Sequence, residues 1–394
     1  MSNSDRWLLP DGVADVLPPG ALRLETLRRT LLDQYQRWGY ELIIPPLIEY
    51  LQSLLTGTGN DLDLQTFKLT DQLTGRMMGV RADMTPQAAR MDAHSLRRRG
   101  VTRLCYAGHV LHARPSSMLA SRTPLQVGCE LFGSTSNAAD QEILDLMLET
   151  LRVAGVDPVH LDLAHVGIFQ CLAAAASLGE NEEALIFDAM RRKSIPELDQ
   201  LLVSAEPGSC RAMLGQLARL NGGTDVPERA REALAKAPSR VLAAVNELEK
   251  AAERVQQRHP GVSVGFDFCE LRGYNYHTGL VFAAYTATEE EAVAQGGRYD
   301  AVGEDFGRAR PATGFSADLN RLLRAGSDTA SGREPPGAIW APPGDDEALR
   351  CRISELRRSE KVIQAMPDET ESPAELGCDR QLVEDGDGWR VVAV

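Results

Sequence analysis

Apolar positions first take helical spacing over residues 18–38. Pro18 and Pro19 open the segment, Leu24, Leu27, Leu31, Tyr35 and Trp38 recur on one face, and Gly39 stops it. Residues 41–49 then read as an apolar strand interrupted by Pro45 and Pro46. Proline cannot donate to a sheet ladder, so this strand must end or lie at an edge there, and an open edge is a natural subunit contact. From 67 to 133 short apolar runs alternate with turns: Phe67-Lys68-Leu69, Met77-Met78-Gly79-Val80, Arg103-Leu104-Cys105-Tyr106 and the stretch 125–132. That rhythm predicts an antiparallel sheet. Residues 138–153 return to helix, with Ile143, Met147 and Leu151 on one face. Residues 168–258 are rich in Ala, Leu, Glu and Arg and break at Glu206-Pro207-Gly208 and Asn221-Gly222-Gly223, which predicts an inserted helical region. Strand character resumes at 262–285 and near 295, and a hydrophilic linker runs from Gly326 to Pro336. The tail, 337–394, reads as a strand (Ala338-Ile339-Trp340), a helix (345–358) and a terminal hairpin. That hairpin turns at Asp385-Gly386-Asp387-Gly388.

These elements predict an α+β fold: an antiparallel sheet flanked by helices, a helical insertion, and a small α/β C-terminal domain. The expected boundaries are 1–325, with the insertion at about 168–258, and 326–394. The chain of 394 residues is 43% hydrophobic and 25% charged, within the range of ordinary globular proteins. No stretch approaches the roughly 20 apolar residues of a membrane span, and residues 1–6 lack the charged start and apolar run of a secretory signal. Both features predict a cytoplasmic protein without a membrane partner. Seven scattered cysteines, with no CxxC pair, exclude a zinc ribbon and a disulfide framework and predict buried reduced thiols. The net charge of −14 disfavours a polyanionic partner.

Four polar clusters sit on or beside predicted strands: Arg81-Ala82-Asp83-Met84-Thr85, Gln126 with Glu130, residues 270–277, and Gly296-Gly297-Arg298-Tyr299-Asp300. Taken singly, each reads as salt bridges and turn residues. Together they supply carboxylates for an ammonium group, an arginine for a carboxylate, and polar partners for an imidazole ring. Gln126 and Glu130, four apart on a strand, point to one face. His109 and His112 form an HxxH, but on a strand they face opposite ways, and no carboxylate or thiol cluster joins them. The paired glycines at 296 and 297 read as a close backbone approach to a ligand. No GxxxxGK[ST] or GxSxG occurs, so no cofactor is expected.

Residues 39–49 resemble the dimer-forming first motif of class II aminoacyl-tRNA synthetases. Leu271-Arg272-Gly273-Tyr274-Asn275-Tyr276 is similar to the Arg-Gly-Leu-Asp-Tyr-Tyr signature of histidyl-tRNA synthetases, and Gln295-Gly296-Gly297-Arg298-Tyr299-Asp300 to their Ala-Gly-Gly-Arg-Tyr-Asp. Residues 314–322 match the last class motif in outline, so the resemblance spans roughly 8–325 with four motifs in order. The resemblance implies a histidine pocket at Asp83, Thr85, Gln126, Glu130, Arg272, Tyr276 and His277. In it Asp83 and Glu130 take the ammonium, Gln126 helps, and Arg272 lies near the carboxylate. Tyr274, Asn275 and His277 depart from the family pattern. So does the ATP region. The family's Phe-Arg-x-Glu-Arg-Pro is here Val110-Leu111-His112-Ala113-Arg114-Pro115, and Asp318 replaces a glycine of the Gly-Leu-Glu-Arg motif. Losing a cation and gaining an anion both oppose phosphoryl chemistry, where one such contact is worth about 3 kcal/mol.

Only 69 residues follow Ala325, fewer than the anticodon-binding domain of such synthetases. Residues 326–394 carry 15 acidic and 8 basic side chains, a net −7 that should repel tRNA. A synthetase body without ATP contacts and anticodon domain resembles the regulatory subunits of ATP phosphoribosyltransferase. That resemblance implies a non-catalytic partner of a short catalytic subunit at the first step of histidine biosynthesis. It also implies a homodimer within a hetero-oligomer, and histidine as feedback effector. Two other readings stay open: a divergent histidine-activating ligase, separable by pyrophosphate exchange, and a binding module for some other enzyme, separable by co-purification.

Overall fold

A computed structural model describes residues 7–56, 60–115, 117, 120–270, 276–304, 306–327, 337–367, 372–386 and 388–394. The chain divides into two compact units, Met1–Ser331 and Gly332–Val394. In the first unit the strands are β1 (Glu41–Leu42), β2 (Ile48–Tyr50), β3 (Phe67–Thr70), β4 (Met77–Val80), β5 (Thr102–His109), β6 (Leu125–Phe132), β7 (His160–His165), β8 (Asn221–Gly222), β9 (Ser263–Asp267), β10 (Leu280–Tyr285), β11 (Ala294–Arg298) and β12 (Ala312–Asp318).

Among the described residues nine of these strands form one sheet, in the order β1-β5-β6-β12-β11-β10-β7-β9-β8. Its pairs are antiparallel except β1 with β5 and β7 with β9. The apolar strand expected over 41–49 is divided at its prolines. Its first part, β1, is an edge of the large sheet, and its second, β2, joins β4 and β3 in a separate antiparallel sheet.

The central strands alternate between two environments, as a period of two requires. On β6, Val127, Cys129 and Leu131 enter a large apolar core with Leu31 and Tyr35 of helix Gly20–Arg37 and Ile143 and Met147 of helix Asn137–Val153. Phe132 faces the other side, where it clusters with Met84, Tyr106 and Tyr299. The large core continues without a break through Ile186, Leu214, Val241 and Leu248 of the helices expected as an insertion. The turn expected at 221–223 contains β8, which extends the sheet beyond β9. All seven cysteines are free thiols, and four are buried.

The second unit has a sheet in the order β14 (Val362–Gln364), β13 (Ala338–Ala341), β15 (Cys378–Glu384), β16 (Trp389–Ala393). Asp346 accepts the Leu349 amide at 3.0 Å and so caps helix Glu347–Leu356. Leu349 and Ile353 of this helix pack on Ile339, Val362 and Leu382. Residue 387 of the expected terminal turn and 328–336 of the expected linker lie outside the described residues.

Candidate functional site

A cavity opens on the face of the sheet away from the large core. Asp83 stands in the turn before helix Thr85–Arg90, and β6 supplies Glu130. The segment leading into β10 brings Tyr276 and His277, and the end of β11 leads to Tyr299. Of the residues expected from sequence, Asp83, Thr85, Glu130, Tyr276 and His277 line the cavity together. Gln126 does not line it. Its amide instead spans the turn behind, donating from Nε2 to Asp83 Oδ1 at 2.7 Å and accepting the Met84 amide at Oε1 at 2.9 Å. It therefore orients Asp83. Arg272, Tyr274 and Asn275 lie outside the described residues.

Glu130 is 1% exposed. Three hydroxyls donate to it: Thr85 Oγ1 and Tyr106 each at 2.9 Å to Oε1, and Tyr299 to Oε2. Burial pushes its carboxyl up to about 8, against the pull of those hydroxyls and with a push from the Asp83 charge. Among the described residues neither Asp83 nor Glu130 has a cationic partner. His277 is buried, and burial lowers its ring to about 4. Its Nδ1 is 3.1 Å from the Arg298 carbonyl oxygen, which can only accept, so Nδ1 carries the proton and Nε2 is a bare acceptor. Tyr276 stacks on this ring, with centroids 4.2 Å apart.

Two glycines make room for this arrangement. Gly314 is paired with Glu130 across β12 and β6, and a Cβ there would collide with the Glu130 carboxylate. A Cβ at Gly128 would meet the Tyr106 hydroxyl at 2.6 Å. Tyr106 and Tyr299, the two phenols that hold Glu130, were not among the sequence candidates. The bare Gly128 between Gln126 and Glu130, on the same face, was the available signal.

Other expectations are corrected. The close approach at Gly296 is to the neighbouring strand, where a Cβ would clash with Gly314 and Phe315, although Gly296 also lines the cavity. Asp318 does not face the cavity. It accepts the Leu125 amide at 3.2 Å and the Asn320 amide at 3.1 Å, capping helix Leu319–Ala325. Arg298 turns to the opposite face, where it binds Asp140 at 2.8 Å. Arg81 clamps the Pro45 and His109 carbonyls, at 2.6 and 2.8 Å. His112 Nε2 lies 3.0 Å from the Ala82 carbonyl, and among the described residues no cluster of His, Cys, Asp and Glu could hold a metal.

The histidyl-tRNA synthetase family profile matches residues 12–322, and that of the ATP phosphoribosyltransferase subunit HisZ C-terminal domain matches 336–392. An ATP phosphoribosyltransferase regulatory subunit of Marinobacter nauticus is 61% identical over 100% of both chains. A solved ATP phosphoribosyltransferase regulatory subunit/histidyl-tRNA synthetase from Bacillus halodurans superposes with a TM-score of 0.80. It is 25% identical and covers 94% of this chain and 95% of its own. A chain of the Thermotoga maritima ATP phosphoribosyl transferase (HisG:HisZ) complex shares the fold at a TM-score of 0.59. It is 18% identical, covering 77% of this chain and 98% of its own. The chain belongs to the regulatory, non-catalytic subunits of ATP phosphoribosyltransferase, a family built on the histidyl-tRNA synthetase fold.

Proposed function

We propose that this regulatory chain senses histidine in the cavity beside Glu130 and passes its occupancy to a short catalytic subunit, giving feedback control of the first step of histidine biosynthesis. The observation that carries this reading is the pair Asp83 and Glu130. Both line one cavity, with Glu270 at its wall, and neither Asp83 nor Glu130 has a cationic partner among the described residues; a bound ammonium would let Glu130 ionise beside Asp83. The bare Nε2 of His277 adds an acceptor for a ring N–H, so both ends of free histidine find partners of opposite character. Arg272 belongs to the same proposal as the partner of the ligand carboxylate.

Leu111 stands where the synthetases hold phosphate with an arginine, so the reading includes ligand binding without ATP chemistry. It also includes a homodimer within the hetero-oligomer, because Leu42, Ile44, Leu47 and Ile48 leave apolar surface exposed from the β1 edge to the start of β2. No helix among the described residues is long and apolar enough to cross a membrane, which fits the cytoplasmic setting proposed here.

Calorimetry with free histidine tests the pocket. The parent chain should bind one histidine per cavity, and Asp83→Asn with Glu130→Gln should weaken binding at least tenfold. Equal affinity in parent and double variant would place the sensor elsewhere.

A further inference from the structure

The sheet has a second cavity, on its other face, that the histidine reading does not use. It lies between the start of helix Asn137–Val153, helix Ser239–Arg258 and the ends of β7 and β11. Residues 247, 250, 251 and 254 of the second helix line it, the spacing of one helical face. Its charged groups sort into two classes.

The first class already has hydrogen-bonding partners. Arg298 and Asp140 form a buried pair at 2.8 Å, and Arg298 also donates to the Ser134 and Ser136 carbonyls. Glu247 is held by His165 Nε2 at 3.3 Å, and that contact, ahead of partial burial, keeps its carboxyl below the usual range. The second class is Lys250 and Arg254, exposed at the mouth one turn apart, and neither has an ion-pair partner among the described residues. Among the lining residues Arg298, Lys250 and Arg254 outnumber Asp140 and Glu247 by one, a local cationic excess on a chain of net charge −14. Asn137, the first residue of its helix, lines the same cavity, and a helix start adds positive potential.

We propose that this cavity is a second ligand site, for a small phosphate-bearing anion. The ammonium of Lys250 and the guanidinium of Arg254 take the phosphate oxygens at the mouth, while the Asn137 side chain is engaged by Glu247. The two phosphate-holding side chains sit on one helix face, so the site requires no rearrangement of the sheet.

The test uses the full chain with inorganic phosphate, pyrophosphate and citrate as probes, read by calorimetry and by thermal shift. Phosphate or pyrophosphate should bind saturably and raise the melting temperature. Lys250→Gln with Arg254→Gln should weaken that binding at least tenfold while the ligand-free melting temperature stays as in the parent, since both side chains are exposed. Glu130→Gln, in the first cavity, should leave phosphate binding unchanged. Absence of saturable binding, equal binding by the double variant, or loss of binding in Glu130→Gln would overturn the site. Citrate binding as tightly as phosphate would overturn the assignment to phosphate.

Discussion

Glu130 sets two opposed demands at one residue. Folding has to bury its carboxyl, whereas holding an ammonium needs that carboxyl charged. With its proton held up to about pH 8, the free chain carries Glu130 largely neutral at pH 6, and histidine binding must expel that proton. Affinity should therefore rise between pH 6 and 8, by at most about tenfold per unit, and level off above. Calorimetry across that range, with buffers of different ionisation enthalpy, reads the released proton directly. The same shift has a stability sign. The folded state binds the proton more tightly than the unfolded one, so stability falls as pH rises from the ordinary carboxylate range to about 8. Glu130→Gln should then melt no lower than the parent at pH 8 while losing histidine affinity, and denaturant melts at pH 5 and 8 check this. Asp83 and Thr85 were legible through the family resemblance, and Glu130 also through strand alternation, which put it on the face of Gln126. Tyr106 was not, because nothing local says that a phenol will cross the strand over Gly128. The capping role of Asp318 was likewise not legible: a substitution shows which charge arrives, but not which backbone amides it will meet.

Strand periodicity located most elements, and proline located the division at 45–46. The strand β7 escaped, since His160-Leu161-Asp162-Leu163-Ala164-His165 is short and carries its polar residues at the ends and middle. Its place comes from long-range pairing with β10 and β9, which no local window records. The insertion was legible as helices but not as part of one core, because sharing apolar neighbours is a tertiary property. Two elements carry sharp consequences. Helix Asn137–Val153 holds β11 through the buried Asp140–Arg298 pair, and the next residue, Tyr299, reaches Glu130 on the other face. Asp140→Asn leaves Arg298 partly uncompensated and should cost about 3 kcal/mol by chemical denaturation. The β1 edge makes the other case. Ile44 is 86% exposed, and Ile44→Asp should convert a homodimer into monomers by sedimentation without lowering the melting temperature of the fold.

At the scale of the molecule, a synthetase-like body has kept a polar cavity, while residues 336–392 match a domain specific to the regulatory family. That second unit was recognisable from sequence mainly by its length and its acid; β14 went unseen because three residues give no periodicity. The chain alone should show no histidine-dependent exchange of pyrophosphate into ATP, since Leu111 and Ala113 offer neither a cation nor a carboxylate to the nucleotide. In the proposed function, feedback rests on coupling between the cavity and the catalytic partner, for which about 1–3 kcal/mol suffices. The most direct test is an assay of phosphoribosyl transfer by the catalytic subunit, reconstituted with the parent chain or with Glu130→Gln, over a histidine titration. Glu130→Gln should activate the catalytic subunit as the parent does and require at least tenfold more histidine for half-inhibition. Half-inhibition at the same histidine concentration for both chains would contradict the cavity beside Glu130 as the sensor.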